Sequence, residues 1–366
     1  MAYKEEQILE VLKNVLYFPK GDNIVSLKMV QDIKQNGSGL SFTLIFPESN
    51  DKTIPIVRQS CVKALKENLG LDVDPVKDII IKGADEIGGK APLQGVKNII
   101  AVASGKGGVG KSTVSANLAI ALAKTGAKVG LFDADVYGPS VPVMFDLVNE
   151  KPGVYEENGK TIIVPIEKYG IKVLSLGFFV EPDKALIWRG SMATSALKQM
   201  LFDADWGDLD YMVLDLPPGT GDIHLTMVQE LPITGSVIVT TPQEVALADA
   251  RKAFGMFRQE QINVPIVGLI ENMSYFTPAE LPENKYYIFG QEGGKKLAKE
   301  YDVNFLGQIP LVQGICESGD AGAPIVMNED SPLSKAFVDV ANNVIKNINV
   351  RNETMPATKK VEITTH

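Results

Sequence analysis

Nine consecutive residues, Gly105-Lys106-Gly107-Gly108-Val109-Gly110-Lys111-Ser112-Thr113, combine residue types and spacing suited to holding phosphate. They match the pattern G-x-x-x-x-G-K-[ST], whose glycines let backbone N–H groups converge on phosphate oxygens that side chains would block. The apolar run Ile99-Ile100-Ala101-Val102-Ala103 precedes them and a helix-like segment, Val114 to Lys124, follows. That context predicts a strand, a tight turn and a helix N-terminus whose positive dipole end faces the bound anion. Lys111 is then placed for the β- and γ-phosphates and Ser112 for Mg²⁺. A plain glycine turn between strand and helix would explain the glycines but not the adjoining Gly110-Lys111-Ser112-Thr113.

Two further apolar runs end in acids. Val129-Gly130-Leu131-Phe132 leads into Asp133-Ala134-Asp135, and Tyr211-Met212-Val213-Leu214 leads into Asp215-Leu216-Pro217-Pro218-Gly219-Thr220-Gly221-Asp222. In a doubly wound sheet, ligands sit at the carboxyl ends of the strands, so these acids should face the phosphates. Buried carboxylates beside a triphosphate need a cation between them. Mg²⁺ held by Ser112, by Asp215 partly through water, and by Asp133 resolves the conflict. Lone aspartates after strands commonly cap helices instead; two such strand ends beside one phosphate loop make that the weaker account for Asp135 and Asp215. The two histidines, His224 and His366, are not spaced as metal ligands, and His224 reads as structural.

The elements that must position these groups follow from the apolar rhythm. From residue 99 to about 350, runs such as 99–103, 129–132, 211–214, 236–239 and 266–270 alternate with helical patterns. That predicts βαβ units and an α/β, doubly wound, mainly parallel sheet covered on both faces. Residues 1–90 read as a separate small α+β unit. Ile8, Leu12 and Val15 recur at helical spacing, runs 25–33 and 40–46 flank Asn36-Gly37-Ser38-Gly39 as a hairpin, Val62, Leu65 and Leu69 mark a helix, and 76–81 a closing strand. Residues 91–98 read as a linker within the Gly/Pro-rich stretch that starts at Gly88, and the polar residues 351–366 as a disordered tail.

The chain has 366 residues, 45% of them hydrophobic and 22% charged, with a formal net charge of −9. That is the composition of a globular protein with no basic field for nucleic acid or anionic membrane. Two cysteines, Cys61 and Cys316, stand far apart and form no local metal or redox pair, as expected in a reducing cytoplasm. Neither an apolar signal core at Met1–Glu6 nor an 18-residue apolar run is present, so a cytoplasmic protein is expected.

The extra lysine narrows the class. With Lys106 in place, the loop resembles the deviant phosphate loop of the MinD/ParA/nitrogenase-iron-protein ATPases, in which the early lysine reaches across a nucleotide-sandwich dimer. The resemblance implies that Asp215 is the Walker-B acid, that Asp135 positions or polarises the attacking water, and that Gly219-Thr220-Gly221 is a switch loop sensing the γ-phosphate. No Asn-Lys-x-Asp guanine signature is found, since Asn284-Lys285 is followed by Tyr286-Tyr287. Asn272 sits where adenine-contacting asparagines lie in this class, though an asparagine there could equally form a turn; ATP is the expected nucleotide.

Along nearly its full length the chain resembles the Mrp/ApbC iron–sulfur cluster carriers. The matching blocks are Gly105 to Thr113, Asp133 to Ser140, Trp188-Arg189-Gly190, Asp215 to Asp222, Glu271-Asn272-Met273-Ser274-Tyr275 and Ile288-Phe289-Gly290. The resemblance implies an ATP-hydrolysing homodimer that binds a cluster and passes it to apo iron–sulfur proteins alongside assembly factors, with a small assembly-type domain ahead of the ATPase. One departure stands out. Scaffold members usually carry a Cys-x-x-Cys between the Asn-Met-Ser and Phe-Gly blocks, and Tyr275 to Lys285 contains no cysteine. Clusters demand thiolate ligands, which leaves Cys61, expected in a helix core, and Cys316, expected on a loop, as the better candidate for a dimer-bridging cluster. Two other functions stay open: a ParA/MinD-type positioning ATPase, which would need a basic DNA face or a membrane helix, and a nucleotide-dependent switch that holds no iron.

Overall fold

The computed structural model describes all residues except 1–2, 37–38, 47–50, 72, 84–92, 94, 137, 158, 180–189, 261, 279, 282, 357 and 359–366. The chain divides into two compact units, Met1–Gln94 and Gly95–His366.

In the first unit, helix α1 (Glu5–Leu12) is followed by the two-residue strands β1 (Leu16–Tyr17) and β2 (Asp22–Asn23), then β3 (Val30–Asn36), β4 (Gly39–Phe46), α2 (Ile54–Leu69) and β5 (Ile79–Gly83). Strand β4 pairs antiparallel with β3 and parallel with β5. Ile8 and Leu12 from α1, Phe42 and Leu44 from β4, and Val57, Cys61 and Leu65 from α2 close one core. Two strands start later than the apolar pattern suggests. The Asn23 carboxamide accepts from the N–H groups of Val25 and Ser26, and Asp74 accepts from those of Val76 and Lys77. Each side chain offers its backbone a turn in place of a ladder.

The second unit is built on an eight-stranded sheet in the order β10-β11-β7-β12-β6-β13-β14-β15. Its strands are β6 (Val96–Ala103), β7 (Val129–Asp133), β10 (Ile166–Lys168), β11 (Ile171–Ser175), β12 (Leu209–Asp215), β13 (Gly235–Thr240), β14 (Ile266–Glu271) and β15 (Phe305–Gln308), with the hairpin β8 (Gly153–Glu157) and β9 (Lys160–Val164) separate. Every pairing is parallel except that of β10 with β11. All residues of β7 and β13 are buried, as continuous apolar strands in a sheet covered on both faces require. The helices are α3 (Lys111–Ala123), the short α4 (Val141–Met144), α5 (Gly190–Phe202), α6 (Asp222–Glu230), α7 (Glu244–Phe257), α8 (Gly293–Glu300), α9 (Gln313–Asp320) and α10 (Pro332–Thr354). Helix α3 packs on β7 and β12 and against α10.

Two expected boundaries move. The expected linker 91–98 runs into β6, because Val96 already pairs with Leu209; the polar Lys97 and Asn98 hid the start of the strand. The expected tail 351–366 begins inside α10, which continues to Thr354. Its last turn is tied to β6 by Asn352 Nδ2 donating to Asn98 Oδ1 at 2.8 Å, and Val344 and Ile348 bury the preceding face. Among the described residues no helix is long and apolar enough to cross a membrane.

Candidate nucleotide site

The carboxyl ends of β6, β7 and β12 meet at one point of the sheet. Strand β6 leaves through Ser104 into the glycine loop, and α3 begins at Lys111, so the loop ends on a helix N-terminus. Gly110 caps that helix at φ +78°, where an added Cβ would stand 2.2 Å from Asn272 Nδ2. Gly105 is fixed for a different reason: its Cβ would meet the Asp249 carbonyl of α7 at 2.1 Å. Gly107 and Gly108 are exposed and Val109 is buried, so the loop's open side is backbone. Thr113, half-buried on the first turn of α3, gives its carbonyl to Asn117 Nδ2.

The acids are closer together than their separation in sequence suggests. Asp215 and Asp133 are register partners on adjacent parallel strands, and both are fully buried. Lys111 Nζ lies 2.6 Å from Asp215 Oδ1, 4.0 Å from Asp135 Oδ2 and 3.2 Å from the Ser112 hydroxyl. The Ser115 hydroxyl also lies 2.7 Å from Asp215 Oδ1. Asp215 Oδ2 is buried with no partner among the described residues. Asp133 is held differently: Oδ1 accepts from the Asp135 N–H at 3.0 Å, and Oδ2 from the Ser175 hydroxyl at 2.9 Å. Burial, then the neighbouring Asp215 charge, pushes the Asp133 carboxyl well above the usual carboxylate range. One ammonium thus stands among three carboxylates.

Those features fit a hard cation with phosphates. The donors are all oxygens, from Ser112, Asp215 and Asp133, as Mg²⁺ prefers, and the orphaned Asp215 Oδ2 is available to the ion or its water. Among the described residues no group of three or more His, Cys, Asp or Glu could hold a metal on its own, so phosphate oxygens would have to complete the shell.

The turn after β12 is wired to the loop. The Gly219 N–H donates to the Ser104 carbonyl at 3.0 Å, and the Ser104 hydroxyl donates to the Lys106 carbonyl at 2.9 Å. Lys106 is half-buried and has no ion-pair partner among the described residues. Asn272, at the end of β14, donates from Nδ2 to the Val109 carbonyl at 2.8 Å and so braces the loop directly. His224, on α6, is fully buried; burial and then the Lys111 charge lower it to about 4, leaving a neutral imidazole. His366 lies outside the described residues, as do Tyr137, Trp188 and Arg189 of the quoted blocks.

Ser104, Ser115 and Ser175 escaped the sequence reading. Ser115 is one helical turn after Lys111, and Ser175 ends a strand, β11, in register with Asp133; an apolar run ending in a hydroxyl was the available signal.

The two thiols belong to different units. Cys61 is fully buried in the first unit, and burial pushes its thiol up to about 12. Cys316 lies on α9 rather than on the expected loop, because residues 313–320 close a helix of two turns. It is exposed, with Sγ 3.6 Å from Asp320 Oδ2, and Asp320 raises its thiol above the ordinary value. Where a cysteine pair would stand, Phe276 and Tyr286 form an antiparallel bridge, and Lys285 Nζ sits 4.2 Å over the Tyr275 ring.

Residues 95–345, which contain this whole site, match the family described as NUBPL iron-transfer P-loop NTPase. The chain belongs to that family. Residues 5–77 match a second family, described as iron–sulfur cluster assembly protein. Over 341 residues the chain is 42% identical to the iron–sulfur cluster carrier protein of Synechocystis, covering 93% of this chain and 96% of that one. It is 49% identical over 265 residues to the iron–sulfur cluster transfer protein NUBPL of Dictyostelium discoideum, covering 72% and 80%. A solved nucleotide-binding protein of Archaeoglobus fulgidus, in complex with ADP and with cobalt found, shares 38% identity at a TM-score of 0.57, covering 68% of this chain and 93% of that one. Family membership bears out the iron–sulfur carrier resemblance and the P-loop α/β fold expected from the sequence.

Proposed function

We propose that this protein is an ATP-hydrolysing iron–sulfur cluster carrier that acts as a cytoplasmic homodimer and delivers clusters to apo-proteins, with assembly factors as further partners and neither nucleic acid nor membrane as targets. The observation that carries the reading is Lys111 set among Asp215, Asp135 and Asp133 at the mouth of a glycine loop, within a chain that aligns with named cluster carriers over nearly its whole length. Lys111 leaves Asp215 for the β/γ-phosphates when nucleotide arrives, and the loop from Gly105 to Thr113 holds phosphate oxygens by its N–H groups. Ser112 and Asp215 would hold Mg²⁺, Asp215 partly through water, with Asp133 supporting from the next strand; the ion would supply charge neutralisation to the phosphates. Asp135, its N–H fixed by Asp133, orients the attacking water. Lys106 reaches the partner protomer's phosphates, and Asn272 contacts adenine while bracing the loop.

The cluster is cargo. Cys316 is its ligand in each protomer, giving two thiolates where four are usual, so retention is weak and release easy. The Phe276–Tyr286 bridge, standing where a cysteine pair would, favours a second reading, a nucleotide-dependent switch that holds no iron. Anaerobic reconstitution of wild type and Cys316→Ala, followed by iron and sulfide quantitation after desalting, separates the two. The carrier reading expects a substoichiometric cluster on wild type and less on the variant; no cluster on either leaves the switch.

A further inference from the structure

Five buried side-chain polar atoms lack a hydrogen-bond partner among the described residues, and two of them, Asp215 Oδ2 and His224 Nε2, belong to groups that interact with the Lys111 ammonium. His224 is the third residue of α6, which begins immediately after Gly219-Thr220-Gly221. Only 1% of His224 is exposed. A buried nitrogen without a partner is an exception that folded proteins seldom carry, and here the Lys111 charge reaches it. Burial opposes protonation of this imidazole, and so does Lys111; it cannot serve as a second cation for phosphate, but its Nε2–H can donate one hydrogen bond.

We propose that His224 is a positioning residue that docks the first turn of α6 and the preceding turn onto the occupied phosphate site, Nε2 donating to a phosphate oxygen or to a water that arrives with it. Lys111 spends its charge on Asp215, and His224 Nε2 has no partner among the described residues. Phosphate draws the ammonium away and brings anionic oxygen to the place it leaves. The new bond closes a path that already exists on the other side, since the Gly219 N–H is held by Ser104, and Ser104 by the Lys106 carbonyl. Occupancy of the loop is thereby passed to α6 through a side chain that need not touch the cation. The inference rests on nucleotide binding at this loop and is independent of any cluster.

The test is hydrogen exchange of the full chain with and without Mg·ADP and a non-hydrolysable Mg·ATP analogue, in wild type, His224→Gln, His224→Leu and His224→Asn. Glutamine carries an N–H donor to about the reach of Nε2; asparagine keeps polarity but falls short, and leucine keeps only bulk. In wild type and His224→Gln, nucleotide should slow exchange of residues 105–113 and also of 217–230. In His224→Leu and His224→Asn the protection of 105–113 should remain while that of 217–230 falls on the order of tenfold, the scale of one hydrogen bond. Equal protection of 217–230 in all four proteins would overturn the proposal. Should His224→Leu fail to fold, the contrast between glutamine and asparagine decides it. Absence of protection at 105–113 in wild type would refute nucleotide binding at the loop itself.

Discussion

Lys111→Met probes the site without nucleotide. The side chain keeps its apolar length and loses the charge that stands 2.6 Å from Asp215 and 4.0 Å from Asp135. Removing one partner of a buried ion pair costs about 3–5 kcal/mol, because the remaining charge is left uncompensated. For a unit of this size that corresponds to a fall in Tm of about 10 °C. The cost should depend on pH. With the ammonium gone, the register-paired carboxylates must take up a proton to stay buried, and Asp133, already well above the usual range, takes it. The folded state then binds a proton that the unfolded state has released above its ordinary value of 3.8, so stability falls as pH rises. Thermal unfolding of the nucleotide-free protein should therefore show a small loss at pH 5 and the full loss at pH 8. Adding Asp215→Asn to Lys111→Met should restore much of it, since a neutral pair needs no compensation. Equal melting of wild type and Lys111→Met at pH 8, or no recovery in the double variant, would refute the view that Lys111 neutralises buried acids.

Three other outcomes follow from the same geometry. Gly105→Ala drives a Cβ to 2.1 Å from the Asp249 carbonyl, so it should cost about 1–3 kcal/mol of stability as an overpacking change and abolish nucleotide binding measured by titration calorimetry. Lys106→Ala and Asp135→Ala should each be inactive in ATP hydrolysis, and mixing them should restore activity on the order of 10³ above either alone if the lysine acts across a dimer, as a cation supplied in trans does. His224 is held at about 4 in the fold against 6.5 unfolded, so the unfolded state binds the extra proton in that window and stability falls as pH drops through it. His224→Gln should spare about 2 kcal/mol of the loss between pH 7 and pH 5, read from denaturant unfolding relative to wild type.

The phosphate loop and the parallel sheet were legible because their signals are local: a contiguous motif, and apolar runs bounded by turns. Asp133, Asp135 and Asp215 could be nominated from strand ends alone, but their division of labour could not. That Asp133 spends both oxygens on Ser175 and the Asp135 backbone depends on the register of β7 with β11 and β12, a long-range pairing that leaves no mark in either segment. Asn272 was expected from its place at a strand end to contact the base, whereas its bracing of Val109 left no signal, for the same reason. The misplaced edges came from polar residues: Lys97 and Asn98 masked the start of β6, and the polar end of α10 looked aperiodic because only one face of it docks. Cys316 looked like a loop residue because Gly314, Ser318 and Gly319 surround it, yet residues 313–320 form a helix in which the Ser318 hydroxyl donates to the Ile315 carbonyl.

Cluster transfer tests the central claim most directly. Anaerobically reconstituted protein, mixed with an apo [4Fe–4S] acceptor enzyme, should activate the acceptor faster with Mg·ATP than without nucleotide, and Lys111→Met should lose that acceleration while retaining the same iron. Transfer at one rate in wild type and variant, with and without nucleotide, would contradict a carrier whose phosphate loop controls its cargo.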